Sequence, residues 1–447
     1  MSLHRTQSTS FRLKAATVVI GVASLTVAGS TFSTAASASG PSGSLKIITW
    51  VNPAAVQALT KIDNEFMKQY PGIKVQLETE ANDTAGYLTL LQTSVDASSA
   101  DIITSTNEIQ PLPLHPSRAN MNPMQYWASS NVFLPLNGQP WVKNFNAAGV
   151  QTESYKGQVD GILSGVYQRV VFYNKADFAK YHLSVPTTYS QFITLLQTLS
   201  AHHVQPLWLA TGSGAPIYAQ DFLTMPLMAS LWLPHAPGQN IYTDLQTGSQ
   251  KWDNPYFVQA MTEEAAIAKY IEPEYTGIPW LGMPAAFGAN KAAMLLDGSW
   301  DLTPVQQANP KLQVGSFPLP GSNIASQNQP LVQPDLNLEV LRHAHDTANA
   351  LLWMAFFASR PIYEQYVDIT GISPSETGGT YSSFSSGVLG SWLGKGIQVA
   401  TILPNPMPPV EGYYDTANEF PLLQEQVMAG SVTPQKAAQE IQASWKR

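Results

Sequence analysis

The residues best suited by type to do chemistry stand together at Asp297-Gly298-Ser299-Trp300-Asp301. An apolar run, Ala292 to Leu296, delivers a large aromatic beside a glycine, which lets other backbone or a ligand come close. An aromatic ring at a strand end can stack on the apolar C–H face of a sugar. Core packing is the competing use, since Trp is largely buried in globular proteins. Other constellations offer less. Glu272 and Glu274 invite comparison with a glycosidase carboxylate pair, but two residues apart in a loop is no evidence for the separation that reaction needs. His343 and His345 follow Arg342 and read as solvated, whereas a metal site wants several ligands on one face. The Gly212-Ser213-Gly214 turn is weak as a phosphate loop, because no G-x-x-x-x-G-K-[ST] accompanies it; H-E-x-x-H and G-x-S-x-G are also absent. No catalytic residue, metal ligand or cofactor is expected.

The elements that must position these residues occupy a chain of 447 residues, long enough for two domains or one large two-lobed one. Apolar content is 44%, sufficient for sizeable cores, while charged residues make up only 12%. The polar surface must then be built on Gln, Asn, Ser and Thr. Such a surface loses less stability when carboxylates protonate, so an acidic external medium is one expectation. The formal net charge is -8 with no basic cluster, which argues against a nucleic-acid partner. The absence of cysteine excludes disulfides and thiolate chemistry.

Residues 1–38 read as a secretory signal: Arg5, Arg12 and Lys14 precede an apolar run from Ala15 to Ala28, and Ala36-Ser37-Ala38 is an A-x-A cleavage site. Val27-Ala28-Gly29-Ser30 has the shape of a lipoprotein box with serine in place of the lipid-bearing cysteine, so a secreted chain without that anchor is expected.

After the signal come a strand at Leu45–Thr49, a helix capped by Asn52-Pro53 with Val56, Leu59, Ile62 and Phe66 on one face, a strand through Ile73, Val75 and Leu77, a helix from Thr84 to Val95, and a strand at Asp101–Thr104. This alternation predicts a parallel sheet with ligands beyond the carboxyl ends of its strands. Residues 110–140 read as loop with short helices. Val166–Tyr173 and Pro206–Ala210 read as strands. Asn254-Pro255, Asp346 and Thr433-Pro434 read as helix starts, and the segment beyond them closes the second half.

Several of these stretches resemble the family 1 extracellular solute-binding proteins of ABC sugar importers. Gly288, Lys291, Ala293, Met294, Gly298 and Trp300 match a G-K-x-A-M-x-x-x-G-x-W pattern, with one extra residue between the Gly and the Lys. Phe66, Pro71, Gly72, Ile73 and Val75, the Asp101–Ile103 strand, Tyr173-Asn174-Lys175, the Pro186 to Tyr189 helix entry and Pro318-Leu319-Pro320-Gly321 follow in the same order, so that the likeness spans about residues 45 to 445. It implies a two-lobed α/β fold, each lobe a mostly parallel sheet flanked by helices, with the ligand cleft between. The expected division is 39–165 with 332–362 for the first lobe, and 166–331 with 363–447 for the second. It also implies a monomer that binds a sugar or oligosaccharide and delivers it to the membrane subunits of an ABC permease. Strand-end position and the resemblance together single out Trp50, Tyr218, Trp280 and Trp300 for stacking, and Glu80, Asn107, Arg169, Asp301 and Ser373 for hydrogen bonding. A secreted carbohydrate-active enzyme, or a sensory or adhesive binding module, are the alternative readings.

Overall fold

The computed structural model describes residues 40–79, 84–106, 123–212, 218–403 and 419–445. The signal reading at 1–38, Glu80, Asn107, Ser213-Gly214 and residues 110–122 lie outside that set.

The first sheet has the spatial order Gly72–Thr79, Ser42–Thr49, Ile102–Ser105, Asn337–Val340, Gly161–Leu163. Its first three strands are parallel, as the strand–helix alternation predicts. The Asn52 side chain accepts from the backbone N–H groups of Ala54 and Ala55 at 3.0 and 3.1 Å, and Pro53 opens the helix Pro53–Gln69. Such a cap contributes about 1 kcal/mol. The helix buries Ala58, Leu59, Ile62 and Phe66 against the sheet, while Val56 stays half-buried. Asp101 fastens one end of the sheet: it accepts from the N–H groups of Lys46 (2.8 Å) and Asp346 (3.0 Å).

The second sheet is organised on one long strand, Gly165–Asn174. Met294–Gly298, Val314–Phe317, Leu331–Pro334 and Ser373–Pro374 all run antiparallel to it. Leu207–Trp208 is parallel to Met294–Gly298, and Ile397–Gln398 to Leu331–Pro334. The sheet is therefore mixed rather than mostly parallel. The chain enters this half along the long strand and leaves it along Leu331–Pro334, so the outward and return paths oppose each other. Its core holds Phe192, Leu196, Trp232, Trp252, Phe257 and Leu296, and is completed by Phe420, Val427, Ile441 and Trp445 of the C-terminal helices.

The two halves join at a narrow crossing. Only Ser164 separates strand Gly161–Leu163 from the long strand. Its N–H donates to the Leu336 carbonyl at 2.8 Å, and the Asp335 N–H donates to the Gly165 carbonyl at 2.9 Å, so the outward and return segments are laced together. A Cβ on Gly165 would stand 2.5 Å from the Ser373 carbonyl oxygen, which makes glycine the residue that lets a third segment lie alongside. The Tyr363 hydroxyl donates to the Ser164 carbonyl at 2.6 Å and accepts from the Ser375 N–H at 2.7 Å. Helix Arg360–Thr370, which carries that tyrosine, packs Tyr363, Tyr366 and Val367 into the first core. The apolar stripe of this helix faces helix Pro53–Gln69.

Candidate functional site

The carboxyl ends of the first sheet's parallel strands face the second half. Trp50 follows the first strand directly. Its N–H donates to Thr104 Oγ1 at 3.3 Å, Thr104 Oγ1 in turn reaches Thr49 Oγ1 at 3.1 Å, and the Tyr87 hydroxyl bonds the Thr104 carbonyl. Tyr87 also meets the Trp50 ring edge-on at 5.0 Å between centroids. Two strands and a helix therefore hold this half-buried indole. Trp50 and Val51 pack against a cluster of the second half that contains Trp280, Phe287, Leu302 and Val305. Beside this contact the Gln307 amide donates to Gln57 Oε1 at 2.9 Å. The two halves therefore touch through an apolar patch with a polar pair at its rim.

On the opposite side the strand Met294–Gly298 ends in a 3₁₀ turn, Ser299–Asp301. The Trp300 ring folds back over its own backbone. A Cβ on Gly298 would lie 2.2–2.4 Å from three atoms of that ring, so Gly298 is what allows the indole its position. Trp300 is 9% exposed, edge-on to Tyr167 at 4.3 Å and near Phe222 at 5.9 Å. Phe222 lies 5.1 Å from Tyr218, which lies 6.1 Å from Trp280. The four aromatic residues singled out in the sequence thus come together: Trp280, Tyr218 and Trp300 are linked through Phe222, and Trp50 packs on the Trp280 cluster from across the cleft. Trp280 itself is 4% exposed, against the open position its Gly/Pro-rich surroundings suggested, because Met283 and Phe287 of the next helix close around it.

The polar residues divide differently. Arg169 is fully buried in the second half. Its guanidinium pairs with Asp221 at 3.4 Å, donates to Gln333 Oε1 at 2.6 Å and lies near the rings of Tyr167 and Phe222. It holds the long strand, the return strand and the turn under the aromatic chain in one arrangement. Asp301 is buried beside Asp297, whose Oδ1 accepts from the Gly298 N–H at 2.7 Å. Burial raises both above the usual carboxylate range; the neighbouring Asp301 raises Asp297 further, whereas the contacts with Asp297 and Trp300 hold Asp301 at about 7. Ser373 is buried at the crossing, opposite Val166.

Phe222 and Tyr167 join the site without having been singled out, and Asp297 joins it beside Asp301. Phe222 falls in a single π-turn, Gln220–Thr224, a backbone feature with no signature in composition or spacing. The neighbouring Gln220 amide and the Trp208 indole N–H are buried with no hydrogen-bond partner within the protein, as are Asp297 Oδ2 and Asp301 Oδ2. The arrangement offers apolar ring faces with polar groups near them. Among the described residues no group of His, Cys, Asp and Glu could hold a metal ion. No described helix is long and apolar enough to cross a membrane.

Comparison with known proteins agrees with this architecture. The multiple sugar-binding protein of Streptococcus mutans is 24% identical over 321 residues, 70% of each chain. A raffinose complex of the solute-binding protein RafE superimposes with a TM-score of 0.71 at 18% identity, covering 90% of this chain and 99% of that one. The maltose/maltodextrin-binding domain of Bdellovibrio bacteriovorus bound to maltotriose gives 0.67 at 18% identity, covering 90% and 98%. At these identities the structures establish the two-lobed fold. The family model for bacterial extracellular solute-binding proteins matches residues 51–362, and the chain belongs to that family.

Proposed function

We propose that the protein captures a sugar or oligosaccharide in the cleft between its lobes and delivers it to the membrane subunits of an ABC importer. The observation that carries this reading is the continuous aromatic chain Trp280, Tyr218, Phe222 and Trp300, with Trp50 facing it from the other lobe. Flat ring faces suit the C–H faces of pyranosides, and the neighbouring unpartnered amide and carboxyl groups suit hydroxyls. The names of the relatives point the same way. Glu80 and Asn107, which follow the ends of the second and third parallel strands in sequence, belong to the proposed hydrogen-bonding set, as does Asp301. Arg169 and Ser373 act beneath the site and at the crossing, by positioning its walls.

In this reading the first lobe comprises 39–165 with 332 to about the end of helix Arg360–Thr370, and the rest of the mature chain forms the second. Closure about the laced segments near Ser164, Asp335 and Ser373 brings Trp50 onto the ligand, and the permease reads the closed form. The mature protein works outside the membrane as a monomer, and turns over nothing. A thermal-shift screen against mono- and oligosaccharides, with amino acids, peptides and polyamines as controls, tests the reading, since a ligand of the native state raises Tm by mass action. A rise with one saccharide class and no hydrolysis supports it. A rise only with peptides or polyamines removes the carbohydrate assignment.

A further inference from the structure

Arg169 is the only buried basic side chain among the described residues, while buried Asp and Glu recur through both halves. Most have local partners. One group, under the crossing, leaves three of its carboxyl oxygens without a partner. Glu153, at the end of the short helix Ala147–Thr152, is fully buried with neither carboxyl oxygen hydrogen-bonded. Glu339, on the central return strand, is likewise fully buried; it accepts from the Ser105 N–H at 3.1 Å and from the Ser105 hydroxyl. A Cβ placed on Gly161 would be 3.1 Å from Glu153 Oε2 and 2.9 Å from Glu339 Cγ. The two side chains therefore converge on the same glycine, whose missing side chain makes the room. Asp160 precedes that glycine, and its N–H donates to the Glu153 carbonyl at 2.8 Å. One Asp160 oxygen accepts from the Gln158 amide, and the other is buried and unpartnered.

The remaining groups facing the cluster are Arg342, which acts on Asp160; Tyr87, which feels Glu339; and the neutral Ser105, Asn337 and Tyr155 backbone. The single cation reaches only the edge of the cluster, and a dry cluster of ionised carboxylates without counter-charge is prohibitive. A metal is not the answer, since no described group of acids could hold one.

The geometry points to Glu153, Asp160 and Glu339 as a proton-holding triad that seats the short helix and both crossing strands of the first lobe, and makes that lobe strongest in acid. Burial first, then mutual repulsion, raises Glu153; burial raises Glu339, against the Ser105 bonds; burial raises Asp160, against Gln158 and Arg342. Folded-state values above the unfolded ones fix the sign. The full contribution is present below the ordinary carboxylate range, and is lost as pH rises through the elevated values. This inference does not depend on what the cleft binds.

The test is Tm of the mature protein, without ligand, between about pH 5 and pH 8, for wild type and for Glu153→Gln. The wild type should fall by roughly 5 °C or more over that range. Glu153→Gln, a neutral isostere, should leave Tm near wild type at the acid end, raise it at the alkaline end and flatten the slope. A wild type more stable at the alkaline end, or a variant with unchanged slope, overturns the triad. So does a Tm raised by calcium and lowered by chelator at fixed pH. Should the variant not fold, infrared difference spectra of wild type with ¹³C-labelled glutamate give a second readout. A protonated-carboxyl band persisting at neutral pH is expected, and its absence overturns the proposal.

Discussion

The two lobes present different solutions to the same task of holding an aromatic at a cleft. The first lobe delivers Trp50 at the end of a parallel strand and braces it through Thr49, Thr104 and Tyr87, on its own strand, the neighbouring strand and a helix. The second builds its aromatic wall from Tyr167, Tyr218, Phe222, Trp280 and Trp300, gathered across more than a hundred residues and fixed from beneath by the buried Arg169–Asp221 pair. Charge divides the same way. The second lobe neutralises Asp221 with a guanidinium, whereas the first leaves its Glu153–Asp160–Glu339 cluster with Arg342 at its edge alone. The contrast teaches that one wall depends on the order of strands in a parallel sheet and the other on a single buried ion pair.

The largest effect should come from breaking that pair. Arg169→Met leaves Asp221 buried and uncompensated, and should cost about 3–5 kcal/mol, read as a lowered denaturation midpoint. The comparison is wrong if the loss is within 1 kcal/mol, roughly the worth of an exposed pair. Next, Gly298→Ala places a methyl group inside the Trp300 ring's position. Overpacking costs about 1–3 kcal/mol. Saccharide affinity should fall while Trp50 is untouched, which separates the second wall from the first. A variant binding as wild type would show that Trp300 can move without consequence.

In the first lobe, Asp63 is a buried carboxyl on helix Pro53–Gln69. Its Oδ1 accepts from the Trp353 indole at 2.8 Å, its other oxygen has no partner, and burial pushes it up to about 7. With the folded value raised, its stabilisation is complete below its ordinary value and declines as pH rises through about 7. Asp63→Asn keeps the indole bond. It should gain on wild type by roughly 2–3 kcal/mol between about pH 5 and pH 8, on the scale of 1.36 kcal/mol per pKa unit. Equal destabilisation at both pH values would mean the carboxyl is ionised in the fold. Smallest is the rim contact between lobes. Gln307→Ala removes an exposed hydrogen bond to Gln57. It should weaken ligand affinity about two- to threefold, at the low end of the ~0.5–1.5 kcal/mol range of a single bond, by disfavouring the closed form.

The local architecture was largely legible in the sequence, because its signals are local. Asn52, Thr188, Asn254, Asp346 and Thr433 all cap helices through their side chains. The first three strands follow from alternation and Pro-Gly punctuation. What escaped depends on distant partners. Arg169 read as a ligand group because nothing near it in sequence announces Asp221, 52 residues on. Trp280 read as open because a Gly/Pro loop says nothing of the helix that closes over it. Helix Arg360–Thr370 read as second-lobe because its tyrosines declare themselves first-lobe only through the crossing. The Phe222 turn and the convergence of Glu153 and Glu339 on Gly161 are tertiary facts with no sequence period.

In the proposed complex a saccharide lies between Trp50 and the aromatic wall ending at Trp300. Isothermal titration of the saccharide identified by thermal shift, into wild type, Trp50→Ala and Trp300→Ala, tests it most directly. Each truncation should weaken binding at least tenfold, as expected for a stacking anchor worth about 1.4 kcal/mol or more, with the fold intact by circular dichroism. Wild-type affinity in both variants would contradict the account and move the ligand away from this cleft.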